Sequence, residues 1–261
     1  MSTRLVHLFW DSSVAEAPTQ VRVALELWRR LNPTWQVRLY SLSEMEQELR
    51  DWPDHIMHAN IQARSDALRI QLLATHGGIW ADASVMPTCP LDTWIHKSVS
   101  AAGFFAFRLV GMDRPLASWF LASEADCQLT RQWRDACISY WTRPHRNSVA
   151  NTGFQKRAAL DPISALCSSL LDSDQQYPYF WFHYLFRVTC HAHPEAEAIW
   201  RNSPRPRAAP CLRASVLWKK KEYNSATTNL MQTTAPVVKL NWRHNWSPEV
   251  LEAFASAILT K

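Results

Sequence analysis

The segment from residue 61 to residue 82 constrains the fold most, because it joins a helical pattern to a short apolar run through two adjacent glycines. Apolar residues recur at helical spacing over 61–76, and Gly77 is placed to end that helix in a left-handed turn. Residues 79–82 alternate as a strand does, which puts Trp80 and Asp82 on one face. A helix that turns back directly into a strand is typical of α/β architecture.

The N-terminal part repeats this pattern. Residues 4–10 predict a buried strand, and Pro18 can open a helix that runs to about Arg30. WQVRLY alternates as a second strand, and a capping box of Ser41 and Glu44 opens the next helix. The order strand, helix, strand, helix predicts an α/β fold with a largely parallel sheet.

Later elements are less regular. GFFAF and SWFLAS predict a pair of strands, and PVVKL predicts a late strand. Helices are expected from Cys127 to Trp141, from Tyr179 to Cys190 and after Ser247, with a proline-rich connection at 203–210. The chain shows no internal repeat, and we expect a single domain over residues 1–261.

Composition excludes several classes of protein. Hydrophobic residues make up 47% of the 261, yet no stretch approaches the roughly 20 apolar residues of a membrane span. The apolar run before Asp11 is too short for a secretory signal. Six widely spread cysteines form no C-x-x-C pair. A globular, cytoplasmic protein with reduced thiols is expected.

The basic balance favours an anionic partner. Net charge is +5 and the sequence pI is about 9.0, but the only basic run is Lys219 to Lys221, which can also be a solvated face. Motifs for binding nucleic acid are missing from the sequence, so no nucleic-acid partner is expected.

Three charged residues are candidates for chemistry. Asp66 and Arg69 are three apart, so on a helix they project from one face and can simply pair with each other. Alternatively, Asp66 accepts hydrogen bonds from sugar hydroxyls while the Arg69 guanidinium binds phosphate oxygens. Asp82, at the carboxyl end of the next strand, is expected near that helix, in the crevice where open α/β sheets bind ligands.

SDALRIQLLATHGGIWADAS resembles the donor site of nucleotide-sugar glycosyltransferases of the GT-A type, in glycosyltransferase family 32 and the capsular polysaccharide synthesis group. VHLFW, LWRRLNPTWQVRLY, FFAFR, PLASWFLAS, YFWFHYLF and AIWRNSP follow in the order found in that group, so the resemblance extends to about residue 242. It implies a GT-A domain with a mixed, mainly parallel sheet, flanking helices and a helical C-terminal part.

The resemblance also implies an activity. It indicates transfer of a sugar from a nucleotide sugar, most commonly a UDP-sugar, to a glycan or lipid-linked acceptor, with retention of anomeric configuration, in polysaccharide biosynthesis. Asp82 and Arg69 would then stabilise the leaving diphosphate and Asp66 would orient the sugar. Trp10 is either a base-stacking residue or a buried strand residue, and His183 either a site residue or a core histidine.

A divalent metal, Mn²⁺ or Mg²⁺, is expected from the same resemblance. The second aspartate of the usual D-x-D is a serine here, so Asp82 with Ser84 would hold the ion only weakly before the nucleotide binds. Without a metal, Arg69 and lysines such as Lys219 to Lys221 would have to neutralise the diphosphate.

Three functional questions stay open from the sequence. Asn241, Trp242 and His244 lie where related transferases have a lid over the nucleotide. A toxin-like enzyme that glycosylates a host protein would use the same donor site, and Ser84 also suits a non-catalytic protein that binds nucleotide or polyanion. A lipid-linked acceptor would place the cytoplasmic protein at the inner face of a membrane, as a peripheral protein.

Overall fold

The central sheet has five strands, in the order β2-β1-β3-β6-β5. The computed structural model describes residues 1–109, 114–145, 147–149, 161 and 176–260. The strands of this sheet are β1 (Leu5–Phe9), β2 (Gln36–Tyr40), β3 (Gly78–Ala81), β5 (Phe104–Ala106) and β6 (Phe120–Ser123). Two ladders lie outside it: β4 (Val85–Pro87) with β9 (Val237–Lys239), and β7 (Asn147–Val149) with β8 (Gln176–Pro178).

The sheet is mixed and mainly parallel. β1 runs parallel to both β2 and β3, whereas β6 runs antiparallel to β3 and to β5. All its strands except β6 therefore point the same way. This confirms the α/β fold class. The strands predicted from GFFAF and SWFLAS are present as β5 and β6, and the structure shows that they are antiparallel and lie at one edge.

Helices cover the sheet and form the C-terminal part. They are α1 (Thr19–Leu31), α2 (Leu42–Glu48), α3 (Ile61–His76), α4 (Ile95–Ser100), α5 (Gln128–Trp141), α6 (Trp181–Ala192), α7 (Pro194–Asn202), α8 (Ala209–Lys219), α9 (Tyr223–Met231) and α10 (Pro248–Leu259). Helices α3, α5 and α6 pack on one face of the sheet, while α1, α8 and α10 contribute to the clusters on the other.

Local signals explain the elements that were predicted well. Helix α1 buries Val21 and Trp28 on one face, and the capping box of Ser41 and Glu44 is present at the start of α2. Gly77 ends α3 with a φ of 66°. At Gly78 a Cβ would lie 2.5 Å from the carbonyl oxygen of Leu5, so only glycine lets β3 pair this closely with β1.

Several elements differ from the sequence prediction. Strand β3 ends at Ala81, one residue before Asp82, and α6 begins at Trp181 instead of Tyr179. Strand β4 and helices α4, α7, α8 and α9 were not predicted. None of these four helices has a side-chain hydrogen bond at its N-cap, and α8 begins inside the segment at 203–210 that was expected to be a connection.

The described cysteines at 89, 127, 137, 190 and 211 are free thiols, as expected, and Cys167 lies outside the described residues. In the described part of the chain, every helix is too short or too polar to cross a bilayer. Whether the chain forms one domain stays a prediction.

Candidate functional site

The path of the chain creates a crevice at the carboxyl ends of β1 and β3. From β1 the chain passes through α1 to β2 on one side, and β3 then lies on the other side of β1. Open α/β sheets bind ligands at such a change of direction. Trp10 directly follows β1 and Asp82 directly follows β3, so both side chains stand at this crevice.

A cavity of about 760 Å³ opens there, within the size range of small-molecule sites. The six residues predicted to act in catalysis or to bind the donor or a metal line it: Trp10, Asp66, Arg69, Asp82, Ser84 and His183. The cavity also takes residues from distant parts of the chain, namely Arg114, Tyr177, Phe180, Lys239, Trp242 and Arg243. The predicted site residues therefore converge.

Arg69 connects the two carboxylates. It projects from α3, is buried, and donates from Nη1 to Asp66 Oδ1 and from Nη2 to Asp82 Oδ1, the second bond measuring 2.9 Å. Its guanidinium carbon lies 5.0 Å from the ring centroid of Trp80 and 5.5 Å from that of Phe182. The first sequence alternative, a pair between Asp66 and Arg69, is present, and both side chains also face the cavity. That they bind sugar hydroxyls and phosphate stays a prediction.

Asp82 receives three hydrogen bonds. Arg69 Nη2 and Trp80 Nε1 donate to Oδ1, the latter at 3.0 Å, and Lys239 Nζ donates to Oδ2 at 2.9 Å. Burial acts to raise the pKa of Asp82, but the charges of Lys239 and Arg69 outweigh burial and hold that pKa well below its ordinary value. Asp82 is therefore an anion at neutral pH.

Asp66 behaves differently although it contacts the same arginine. Burial raises the pKa of Asp66 to about 6, an effect that Arg69 opposes and the charge of Asp82 reinforces. Asp66 therefore changes protonation state within the range of ordinary assay conditions, whereas Asp82 does not.

Ser84 and Lys239 join the strand β3 region to the C-terminal part. The Ser84 hydroxyl is buried, donates to the Leu240 carbonyl at 2.8 Å and accepts from Lys239 Nζ at 2.9 Å. The Leu240 N–H in turn donates to the Ser84 carbonyl at 3.0 Å, and Val85 lies opposite Lys239 in the ladder of β4 and β9. Backbone pairing therefore fixes the position of the Lys239 backbone, from which its side chain extends to Ser84 and Asp82.

The sequence-predicted metal ligands, Asp82 and Ser84, do not fit a divalent ion in this arrangement. Lys239 Nζ already lies 2.9 Å from an oxygen of each. Across the described residues, His, Cys, Asp and Glu side chains also form no group of three that could hold a metal. The metal requirement itself stays a prediction.

His183 lies in α6 against the cavity and is buried. Burial, then the positive charges of Arg114 and Arg69, lowers the pKa of His183 to about 3. Among the described residues, its Nδ1 has no hydrogen-bond partner. A neutral imidazole can donate a hydrogen bond to a ligand and accept one from it, but it brings no positive charge to a phosphate.

Trp10 and Trp242 form an aromatic wall. Their ring centroids lie 5.7 Å apart in an edge-to-face arrangement, and Trp242 is 40% exposed. Trp10 itself is partly exposed and lines the cavity, so it is not a fully buried strand residue. Gln20 Nε2 donates to the carbonyls of Trp242 and His244 at 2.9 Å each, which ties the segment expected to form a lid onto α1.

Lys219 to Lys221 are exposed at the end of α8 and do not line the cavity. The lysine at the site is Lys239, which sequence reasoning placed only in a late strand. Arg114 was also missed; its guanidinium lies 4.0 Å from the ring centroid of Phe180. Lys239 is a single basic residue far from Asp82 along the chain, so no local sequence pattern predicts that it contacts Asp82.

Three comparisons with known proteins bear on this site. "Glycosyltransferase afumC" of Aspergillus fumigatus is 31% identical over an alignment of 104 residues, which covers 34% of this chain and 27% of that protein. The chain therefore matches only about a quarter of that relative's length. A solved structure, "PaToxG Glycosyltransferase", is 14% identical and aligns over 78% of this chain and 83% of that chain, with a TM-score of 0.39.

The third comparison is with family models. The model of the capsular polysaccharide synthesis protein family matches residues 1–151, more than half of the chain. The matched region contains β1, α3 and β3, and with them Trp10, Asp66, Arg69, Asp82 and Ser84. The chain belongs to the capsular polysaccharide synthesis protein family.

Proposed function

We propose that the protein is a glycosyltransferase that moves a sugar from a nucleotide sugar, a UDP-sugar in the first instance, to a hydroxyl of a glycan or lipid-linked acceptor. The observation that carries the proposal is the convergence of Asp66, Arg69 and Asp82 beside Trp10 in one crevice of an α/β sheet. Membership of a family for capsular polysaccharide synthesis supports it, as does the printed name of the A. fumigatus relative.

Each element of the donor has a chemical match in the cavity. The partly exposed indole of Trp10 offers a face for the base, worth about 1–3 kcal/mol if it stacks. Arg69 and Lys239 are cations held in place before the donor arrives, as a diphosphate requires. Asp66, ionised above about pH 6, can accept hydrogen bonds from sugar hydroxyls.

The reaction we propose is a displacement at the anomeric carbon. The bond from that carbon to the diphosphate oxygen breaks, and the electron pair stays on the diphosphate. The acceptor oxygen forms the new bond, and its proton leaves with the nucleoside diphosphate or to solvent. With retention, departure and attack share one face of the sugar, so the main task of the protein is to stabilise charge on the leaving group.

A stepwise assay tests this function. Thermal shift across UDP, GDP and their sugars should first show stabilisation by one nucleotide class, because a ligand that binds only the folded state raises its stability. Transfer of a labelled sugar to saccharide, lipid-linked and protein acceptors then follows, and proton NMR of the product reads the anomeric configuration. Stabilisation by no nucleotide would contradict the proposal.

The acceptor panel also separates the alternatives. Transfer to a protein alone would indicate a toxin-like enzyme. Tight nucleotide binding with neither transfer nor donor hydrolysis would indicate a non-catalytic binding protein. Association with vesicles that carry the lipid-linked acceptor would place the enzyme at a membrane surface.

A further inference from the structure

Lys239 occupies a position that a metal ion would need. Its Nζ lies 2.9 Å from Asp82 Oδ2 and 2.9 Å from Ser84 Oγ. The side chains of Lys239 and Asp82 are 17% and 28% exposed, so the contact is largely shielded from solvent. These two oxygens are the ones that the sequence motif assigns to a metal.

The lysine is held there by the backbone. Val85 and Lys239 are partners across the ladder of β4 and β9, and two hydrogen bonds join Ser84 to Leu240 immediately beside it. The ammonium group therefore extends from a fixed point next to Ser84. A flexible surface lysine would have no such anchor.

The same contacts explain why residue 84 is a serine. Its hydroxyl donates to the Leu240 carbonyl and accepts from Lys239, which uses both hydrogen-bonding capacities of the group at a buried position. An ionised aspartate only accepts hydrogen bonds, so at this place it would face the Leu240 carbonyl oxygen without a proton between them. A serine at position 84 and a lysine at position 239 therefore fit together as one arrangement.

A lysine and a divalent ion cannot easily share these oxygens. Mg²⁺ binds oxygen at about 2.0–2.1 Å, so an ion held by Asp82 Oδ2 and Ser84 Oγ would have to displace the ammonium or lie against it. Arg69, on the other oxygen of Asp82, adds further positive charge. Like charges this close repel strongly where little water screens them.

We propose that the Lys239 ammonium group takes the place of the divalent metal, so that the protein binds the donor diphosphate and transfers the sugar without Mn²⁺ or Mg²⁺. This inference rests on the proposed function. During transfer, Lys239 and Arg69 would neutralise the charge that develops on the leaving diphosphate as its bond to the anomeric carbon breaks.

Calorimetry with UDP, in EDTA and in Mn²⁺, tests the inference without any turnover. The wild-type protein is expected to bind UDP in EDTA, with an affinity that Mn²⁺ changes by less than about threefold. Lys239→Met should lose at least about tenfold in EDTA, since hydrogen bonds to charged groups contribute that much or more. The same variant should gain affinity when Mn²⁺ is added, because Asp82 and Ser84 are then released.

Two further variants serve as controls. Lys239→Arg keeps the positive charge and should keep most of the affinity in EDTA. Lys220→Met removes an equal charge at the exposed end of α8 and should bind UDP as the wild type does. Melting temperatures establish that each variant is folded.

The outcomes distinguish this inference from the proposed function. Wild-type binding that needs Mn²⁺ overturns the inference and leaves the proposed function in place, and this comparison needs no variant. Unchanged affinity of folded Lys239→Met in EDTA also overturns it. If the wild type binds no nucleoside diphosphate in either condition, the proposed function fails and the inference fails with it.

Discussion

Replacement of Asp82 by asparagine isolates the charge at the centre of the site. Asparagine keeps the size of the side chain and can still accept from Trp80, but it removes the negative charge that faces Arg69 and Lys239. Two charge-assisted hydrogen bonds of 2.9 Å are weakened at once. We expect both the stability of the protein and its transfer activity to fall.

The size of the stability loss follows from these contacts. Breaking a fully buried ion pair costs about 3–5 kcal/mol, and the 28% exposure of Asp82 reduces this to about 2–3 kcal/mol at pH 7. For a chain of this length that corresponds to a drop in Tm of about 4–8 °C. Transfer should fall by about 10²- to 10³-fold, comparable to the loss of one group that stabilises a transition-state charge.

The effect on stability depends on pH in a defined direction. Although burial would raise it, the Asp82 pKa in the folded protein is lowered by Lys239 and Arg69 below the ordinary value of 3.8. The stabilisation is therefore fully present above about pH 4 and is lost as the pH falls further. The Tm difference between wild type and Asp82→Asn should be constant above about pH 7, where Asp66 is ionised, and shrink below about pH 4.

Thermal unfolding between about pH 3 and pH 8 measures this difference. Asp126→Asn is a matched control, since Asp126 pairs with Arg131 but is 91% exposed, and exposed pairs contribute about 0–1 kcal/mol. An Asp82→Asn protein that melts with the wild type at neutral pH would refute the charge coupling described here. Normal turnover would remove Asp82 from the mechanism.

Three further predictions follow from single residues. If the indole stacks on the base, Trp10→Ala should weaken nucleotide affinity by about 1–3 kcal/mol in calorimetry. Inhibition of sugar transfer by free phosphate should stay the same in this variant. Gly78→Ala should lower the free energy of unfolding by at least about 2 kcal/mol in urea titrations, because its φ is +90° and the new Cβ would meet the Leu5 carbonyl; Gly103→Ala, also at positive φ but with only ordinary van der Waals contact to the Glu124 side chain, should cost only about 1 kcal/mol. Because burial raises the folded pKa of Asp66 to about 6, ionisation of Asp66 costs stability as pH rises from about 4 to 7, so Asp66→Asn should gain about 3 kcal/mol relative to wild type over that range; parallel unfolding curves for the two proteins would contradict this.

The convergence of Asp66, Arg69 and Asp82 could be predicted because it is encoded locally. Asp66 and Arg69 lie on one helix, and Asp82 directly follows the strand that two glycines at positive φ join to that helix. The spacing of these residues therefore predicts that their side chains lie close together, without knowledge of any tertiary contact. The predicted boundaries of β3 differ by one residue from those in the structure, and this difference did not affect the placement of Asp82.

The cation opposite Asp82 could not be predicted in the same way. Lys239 lies 157 positions from Asp82, and PVVKL has the ordinary pattern of a short strand. Only the pairing of β9 with β4 brings the lysine to the site, and β4 itself was not predicted. The lysines at 219 to 221 are consecutive in the sequence, yet they lie at an exposed helix end.

Burial and the position of Lys239, neither of which the sequence supplies, together decide how these groups are charged. Asp66 and Asp82 are both aspartates beside Arg69, yet the pKa of one is raised to about 6 and the pKa of the other is lowered, because Lys239 reaches only Asp82. Near neutral pH the two carboxylates therefore balance Arg69 and Lys239 and hold both cations in position before a donor binds. The diphosphate of the proposed donor would then meet oriented cations instead of flexible ones, and such an arrangement would stabilise the leaving group with little reorganisation.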